Sequence, residues 1–112
     1  MDTDWKALAL SVNEKGAKLA GASPVMRSFV KLAGAATVDG AMPGKTKELI
    51  AVAISIVQGC EACIAYHTQA AIKAGAGRDE CLVAIGVAIE MGGGPATVYG
   101  ARAIEAFDAL SD

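Results

Sequence analysis

The sequence predicts an all-α fold, a helical bundle of about six helices forming one domain over residues 1–112. Three observations carry this. Alanine is abundant while aromatics make up only 4% of the chain, a composition that suits helix better than strand. No segment sustains the period-two alternation of a half-buried strand. Glycine and proline cut the chain into pieces of helical length, and 112 residues leave no room for a second domain.

The first helix is expected over Thr3 to Leu19, where Trp5, Leu8, Val12 and Leu19 fall close to one stripe, and it ends near Gly21. Ser23 and Pro24 open the second. A serine cap accepts an orphan N–H, and proline at the first helical position gives up a bond it would not make. This helix runs to about Ala36, and a loop containing Asp39, Gly40, Pro43 and Gly44 leads to a third from Lys45 to Val57. Gly59 interrupts the pattern. A fourth helix covers Cys60 to Ala74 and stops at Gly75 and Gly77. Asp79 and Glu80 start the fifth, where acid meets the positive end of the helix dipole. From Cys81 to Met91 that helix is apolar nearly all round, so it should be buried or lie in an interface. Gly92, Gly93, Gly94 and Pro95 end it, and a sixth helix carries Val98, Phe107 and Leu110.

Composition narrows the function. An apolar fraction of 54% and a mean hydropathy of +0.42 are high for so short a chain, so part of the apolar surface is expected in a subunit interface. A net charge of -2 without runs of either sign argues against nucleic acid as a partner. The apolar run Leu49 to Val57 is far shorter than the roughly 20 residues a membrane span needs. The opening MDTDWK is acidic where a secretory signal is basic, which predicts a cytoplasmic protein whose cysteines stay reduced unless they have redox or metal work. Several motifs fail on inspection. Gly44-Lys45-Thr46 resembles the end of a phosphate loop, but Asp39 stands where the first glycine belongs and no strand precedes it. Glycines 92–94 read as a turn between helices. Ile64 follows the second cysteine where a covalent haem site requires histidine.

The chemistry concentrates in Gly59-Cys60-Glu61-Ala62-Cys63-Ile64-Ala65-Tyr66-His67. On a helix, Cys60, Cys63 and His67 share one face. N–H groups of the first turn favour a thiolate at Cys60, and His67, one turn after Cys63, can take that thiol's proton. A base works best with an orienting partner, and Glu48, an acid just before the apolar run, is the candidate. On one straight rod Glu48 and Cys60 would stand roughly 18 Å apart at 1.5 Å per residue. If the chain reverses at Gln58-Gly59, Glu48 instead comes within about one helical turn of His67. Zinc is a rival use of Cys60, Cys63, His67 and either Cys81 or Glu48, but structural zinc usually grips chains that cannot fold without it, and this one has an apolar core of its own. No metal or cofactor is therefore assigned. Cys81, alone on the apolar fifth helix, reads as an inert core thiol.

Glu48, eleven residues, then Cys60-x-x-Cys63-x-x-x-His67, with Pro43-Gly44 before and the Gly-Gly-Gly-Pro turn after, resembles the alkylhydroperoxidase D-like branch of the carboxymuconolactone decarboxylase family over about residues 25–110. The resemblance implies a homo-oligomer, commonly a trimer or hexamer, and a peroxiredoxin-type hydroperoxide reductase. Its partners would be a small hydroperoxide and an external thiol reductant. Carried over, Cys63 would be the activated thiol, Cys60 its disulfide partner, His67 the base and Glu48 the end of the proton relay. One departure bears on efficiency: better-known members carry a histidine where this chain has Ala62. The other activity implied by the family is decarboxylation or isomerisation of a small lactone acid. Relatives of that kind generally lack the dithiol and would want clustered cations, which this sequence does not place in the motif. A non-catalytic helical assembly is the third alternative.

Overall fold

The computed structural model describes residues 2–112 and is helical throughout: α1 (Trp5–Ala22), α2 (Pro24–Thr37), α3 (Gly44–Gln58), α4 (Glu61–Lys73), α5 (Arg78–Gly92) and α6 (Gly94–Leu110). α3 and α4 form an antiparallel hairpin, and α5 and α6 form a second that packs across it. α1 lies on α4 and α6, while α2 touches only α1 and α3 among the described residues. The caps follow local chemistry. Asp4 accepts from the Ala7 N–H, and Ser23 accepts from the Met26 N–H ahead of Pro24.

The core is built largely from small side chains. Ala9, Ala65, Ala71, Ala103 and Ala106 are fully buried around Val52, Ile56, Ile64 and Trp5, and this lets the helices approach closely. At Gly100 a Cβ would stand 2.9 Å from Ile85 Cγ2, so glycine there sets how close α5 and α6 can come.

Three boundaries or faces differ from the sequence expectation. α1 continues to Ala22, but its stripe is buried only at Trp5 and Ala9, and Leu19 is exposed although α2 meets α1 near that end, where Arg27 bonds the Ala20 carbonyl. Cys60 is the N-cap of α4 and not its first helical residue, since its backbone is extended. α5 is buried along Cys81, Ile85 and Ala88 only; Val83, Val87 and Met91 on its other side are exposed. No helix among the described residues is long and apolar enough to cross a membrane.

Candidate functional site

The site begins with the turn between α3 and α4. Gly59 ends α3 in the left-handed conformation at φ 67°, which costs an L-residue roughly 1 kcal/mol and glycine almost nothing. Its N–H bonds back to Ile56 O, and the Cys60 N–H bonds to Ser55 O. The orphan carbonyls of α3 are thereby satisfied while the chain reverses. Tyr99 of α6 closes the outside of the turn, so a Cβ on residue 59 would meet its ring at 3.2 Å.

The reversal brings Glu48 to His67. Glu48 Oε1 lies 2.9 Å from His67 Nδ1, with the carboxylate side chain only 11% exposed and the imidazole 29%. A carboxylate acceptor there places a proton on Nδ1 and leaves Nε2 free to accept one in the neutral ring. Tyr66 stacks edge-on against the imidazole with ring centres 5.0 Å apart.

Cys60 and Cys63, both partly exposed, are joined as a disulfide with their Cα atoms 5.2 Å apart. Cys60 Sγ also accepts from the Cys63 N–H at 3.1 Å, taking the place a serine oxygen fills at an ordinary N-cap. Ala62, where a histidine would stand in better-known relatives, faces solvent. Cys81 lies apart, with no exposed surface. Burial pushes its thiol up to about 11, with the nearby Asp108 carboxylate adding to the effect and Arg78 opposing it. Among the described residues no three His, Cys, Asp or Glu side chains come together as metal ligands.

Sequence reasoning missed a second polar group at the same end of α4. Glu61, inside the Cys-x-x-Cys, pairs with Arg102 of α6, and Thr3 donates to its other oxygen at 2.7 Å. The signals were an acid between the cysteines and a single cation on an otherwise apolar and acidic α6, 41 positions away.

The site is thus a disulfide-bonded Cys-x-x-Cys at a helix N-terminus, with a carboxylate-braced histidine one turn beyond it, on an all-α scaffold. Residues 23–106 match the model of the carboxymuconolactone decarboxylase family, a family named for an enzyme activity. The chain belongs to that family. It is 39% identical over 112 residues to an uncharacterized protein of Cupriavidus necator, covering 99% of both. Among solved structures, a carboxymuconolactone decarboxylase family protein from Legionella pneumophila, in its apo form, superposes with a TM-score of 0.92 at 40% identity, covering 99% of this chain and 100% of that one. A family member from Thermotoga maritima, for which involvement in an antioxidative response has been suggested, superposes with a TM-score of 0.82 at 27% identity over 93% and 89% of the two chains.

Proposed function

We propose that the protein is a thiol-dependent hydroperoxide reductase of the alkylhydroperoxidase D-like branch. The observation that carries this reading is the Glu48–His67 contact, made on the helix that also presents the bonded sulfurs. In the reduced protein, His67 Nε2 takes the Cys63 thiol proton. The thiolate attacks the terminal oxygen of ROOH, the O–O bond breaks, sulfur is oxidised to the sulfenic acid, and the alkoxide takes the proton held on His67 to leave as alcohol. The Cys60 thiol then displaces the sulfenic hydroxyl as water and forms the disulfide. An external dithiol supplies two electrons and two protons to restore the pair and becomes a disulfide itself. A reducing cytoplasm suits such a cycle.

The lactone-acid reading finds less support. Such a substrate needs a cation for its carboxylate beside the reacting groups, whereas Arg102, the cation that meets the start of α4, is paired with Glu61.

The test is direct. Reduced protein is mixed with an organic hydroperoxide and its mass is measured. A loss of two hydrogens on the peptide holding Cys60 and Cys63, with one alcohol formed per protein, is the expected result. An unchanged dithiol refutes the reading.

The protein is further proposed to work as a homo-oligomer, a trimer or hexamer. α2 has no buried residue, and its Val25, Phe29 and Leu32 stripe is exposed. Between α3 and α5 runs an unfilled apolar groove of about 620 Å³ lined by Ile50, Ile54, Val57, Val83, Val87 and Met91. A second copy's α2 is the occupant these surfaces suit. α2 carries Arg27 and Lys31 and no acid, while α5 adds Glu90 at one end of the groove; at the other end Glu80 is already paired with Lys45 of α3. Helix and groove are different surfaces of one chain, so the contact proposed is head-to-tail, with the rotation per subunit closing it as a ring.

A further inference from the structure

The proposed cycle makes no use of the ion pair at the start of α4, and its position gives it a task. Glu61 follows Cys60 directly and is the first residue of α4. Its carboxylate suits the positive end of the helix. It is also an adverse neighbour for any thiolate on Cys60 or Cys63, which draws on the same field. Arg102 answers it. Its Nη2 donates to Glu61 Oε2 and to Thr3 Oγ1 at 2.7 Å, and Thr3 Oγ1 in turn donates to Glu61 Oε1. The guanidinium is held over the Trp5 ring with Cζ 5.8 Å from its centre, while Trp5 Nε1 donates to Glu105 Oε1 at 2.7 Å. An isolated surface pair of this kind contributes little. This one is a five-residue network built around a buried tryptophan, and only about a third of either charged side chain is exposed. Of the other acids packed beside this helix, Glu105 is bonded to Trp5 and Glu48 to His67, while Lys6, Lys73 and Asp112 gather at its far end with Gln69.

We propose that Arg102 is a positioning residue for the Cys60–Cys63 couple: by holding and neutralising Glu61 it keeps the carboxylate's field off the sulfurs and so sets how readily the disulfide is reduced. The inference rests on the pair being redox-active, as argued above, and does not depend on peroxide being its oxidant. The oxidised partner is a small disulfide such as that of glutathione: one thiolate displaces a glutathione thiol to form a mixed disulfide, the second cysteine displaces the other, and the two electrons and two protons of the dithiol leave on two glutathione thiols.

Charge balance and mere bracing predict different signs. A unit charge about 8 Å from a sulfur across half-solvated surface changes the thiolate population about threefold. In Arg102→Gln the carboxylate is left uncompensated. Iodoacetamide alkylation of the pair shifts to higher pH by about half a unit, and the glutathione equilibrium, measured above the alkylation midpoint where the reduced pair carries a thiolate, moves toward the disulfide about threefold. In Glu61→Gln the cation is left uncompensated and both readouts move by similar factors the other way. The double variant returns to within about twofold of wild type, and Arg102→Lys, which keeps the charge, stays near it. If both single variants shift in the same direction, or neither shifts, the network only braces the helix and the proposal is overturned. Should Arg102→Gln not fold, the sign of the Glu61→Gln shift alone supports or overturns it. No peroxide enters these assays, so loss of the peroxidase reading leaves their result standing.

Discussion

Replacing Glu48 by Gln tests the centre of the proposed site with little change of shape. The glutamine carbonyl can still accept from His67 Nδ1 at the 2.9 Å now seen for the carboxylate, so what is removed is charge. A charge-assisted hydrogen bond contributes about 1.5–3 kcal/mol and a neutral one about 1. The Glu48 side chain is 11% exposed, so water screens little of that difference. The loss of about 1–2 kcal/mol falls on the protonated imidazole, the species formed when Cys63 gives up its proton, and corresponds to about 5- to 30-fold in rate. The assay is rapid mixing of reduced Glu48→Gln with an organic hydroperoxide at neutral pH, following free thiols, with the urea midpoint as a control for folding. A rate within twofold of wild type, with folding intact, refutes the relay.

Other outcomes follow from the same geometry. Gly59→Ala combines a left-handed φ with a Cβ 3.2 Å from Tyr99 and should cost about 2 kcal/mol, lowering Tm by roughly 8–10 °C; calorimetry checks it. Phe29→Asp and Val87→Asp, on opposite sides of the proposed subunit contact, should each yield monomers by light scattering, while Val98→Asp, exposed but outside the groove, should not. Native Cys81 should resist iodoacetamide at pH 8 after the reduced pair has reacted fully, and should label only once the chain is unfolded, because its thiol is buried and held protonated to about 11. Arg78 donates to Asp108 and holds its carboxyl below the usual carboxylate range. The pair's small contribution to stability is therefore present above the ordinary aspartate value and lost as pH falls through the depressed one; Asp108→Asn should flatten the acid limb of a Tm-against-pH plot.

What could be read from the chain depended on how local the cause was. Ser23-Pro24 announces α2 because both residues act on the backbone beside them, and Gly59 marks the hairpin because few other residues turn left-handed. Once the turn is fixed, counting residues along each arm brings Glu48 to His67. The sequence puts Cys60 one residue too deep in its helix because sulfur is not among the usual capping groups, whereas in the fold it caps α4. Faces were less legible than elements. The stripe on α1 continues past the point where α4 stops supporting it, which leaves Leu19 exposed, and the apolar stripe of α2 reads the same whether it meets its own core or another copy. Glu61 and Arg102 could not be paired in advance, since their meeting depends on how α6 crosses α4.

The cap at Cys60 divides the work between the two sulfurs. Cys60 is served by a backbone N–H of the first turn of α4, a fixed donor that needs no proton shuttle. Cys63 Sγ has no such donor among the described residues, and in the proposed cycle it depends on the His67 imidazole, braced by Glu48, to take and return a proton. Attack on a peroxide needs that return, because the alkoxide leaves only when protonated, so the chemistry belongs on the His67 side. Opening of the disulfide instead needs a sulfur that departs as a thiolate, and the one already bonded to a helix N–H departs more easily. In the proposed cycle the reductant therefore attacks Cys63 and releases Cys60. Trapping the mixed disulfide with a Cys60→Ser variant should find the reductant on Cys63, and finding the adduct on Cys60 in the Cys63→Ser variant alone would reverse the order.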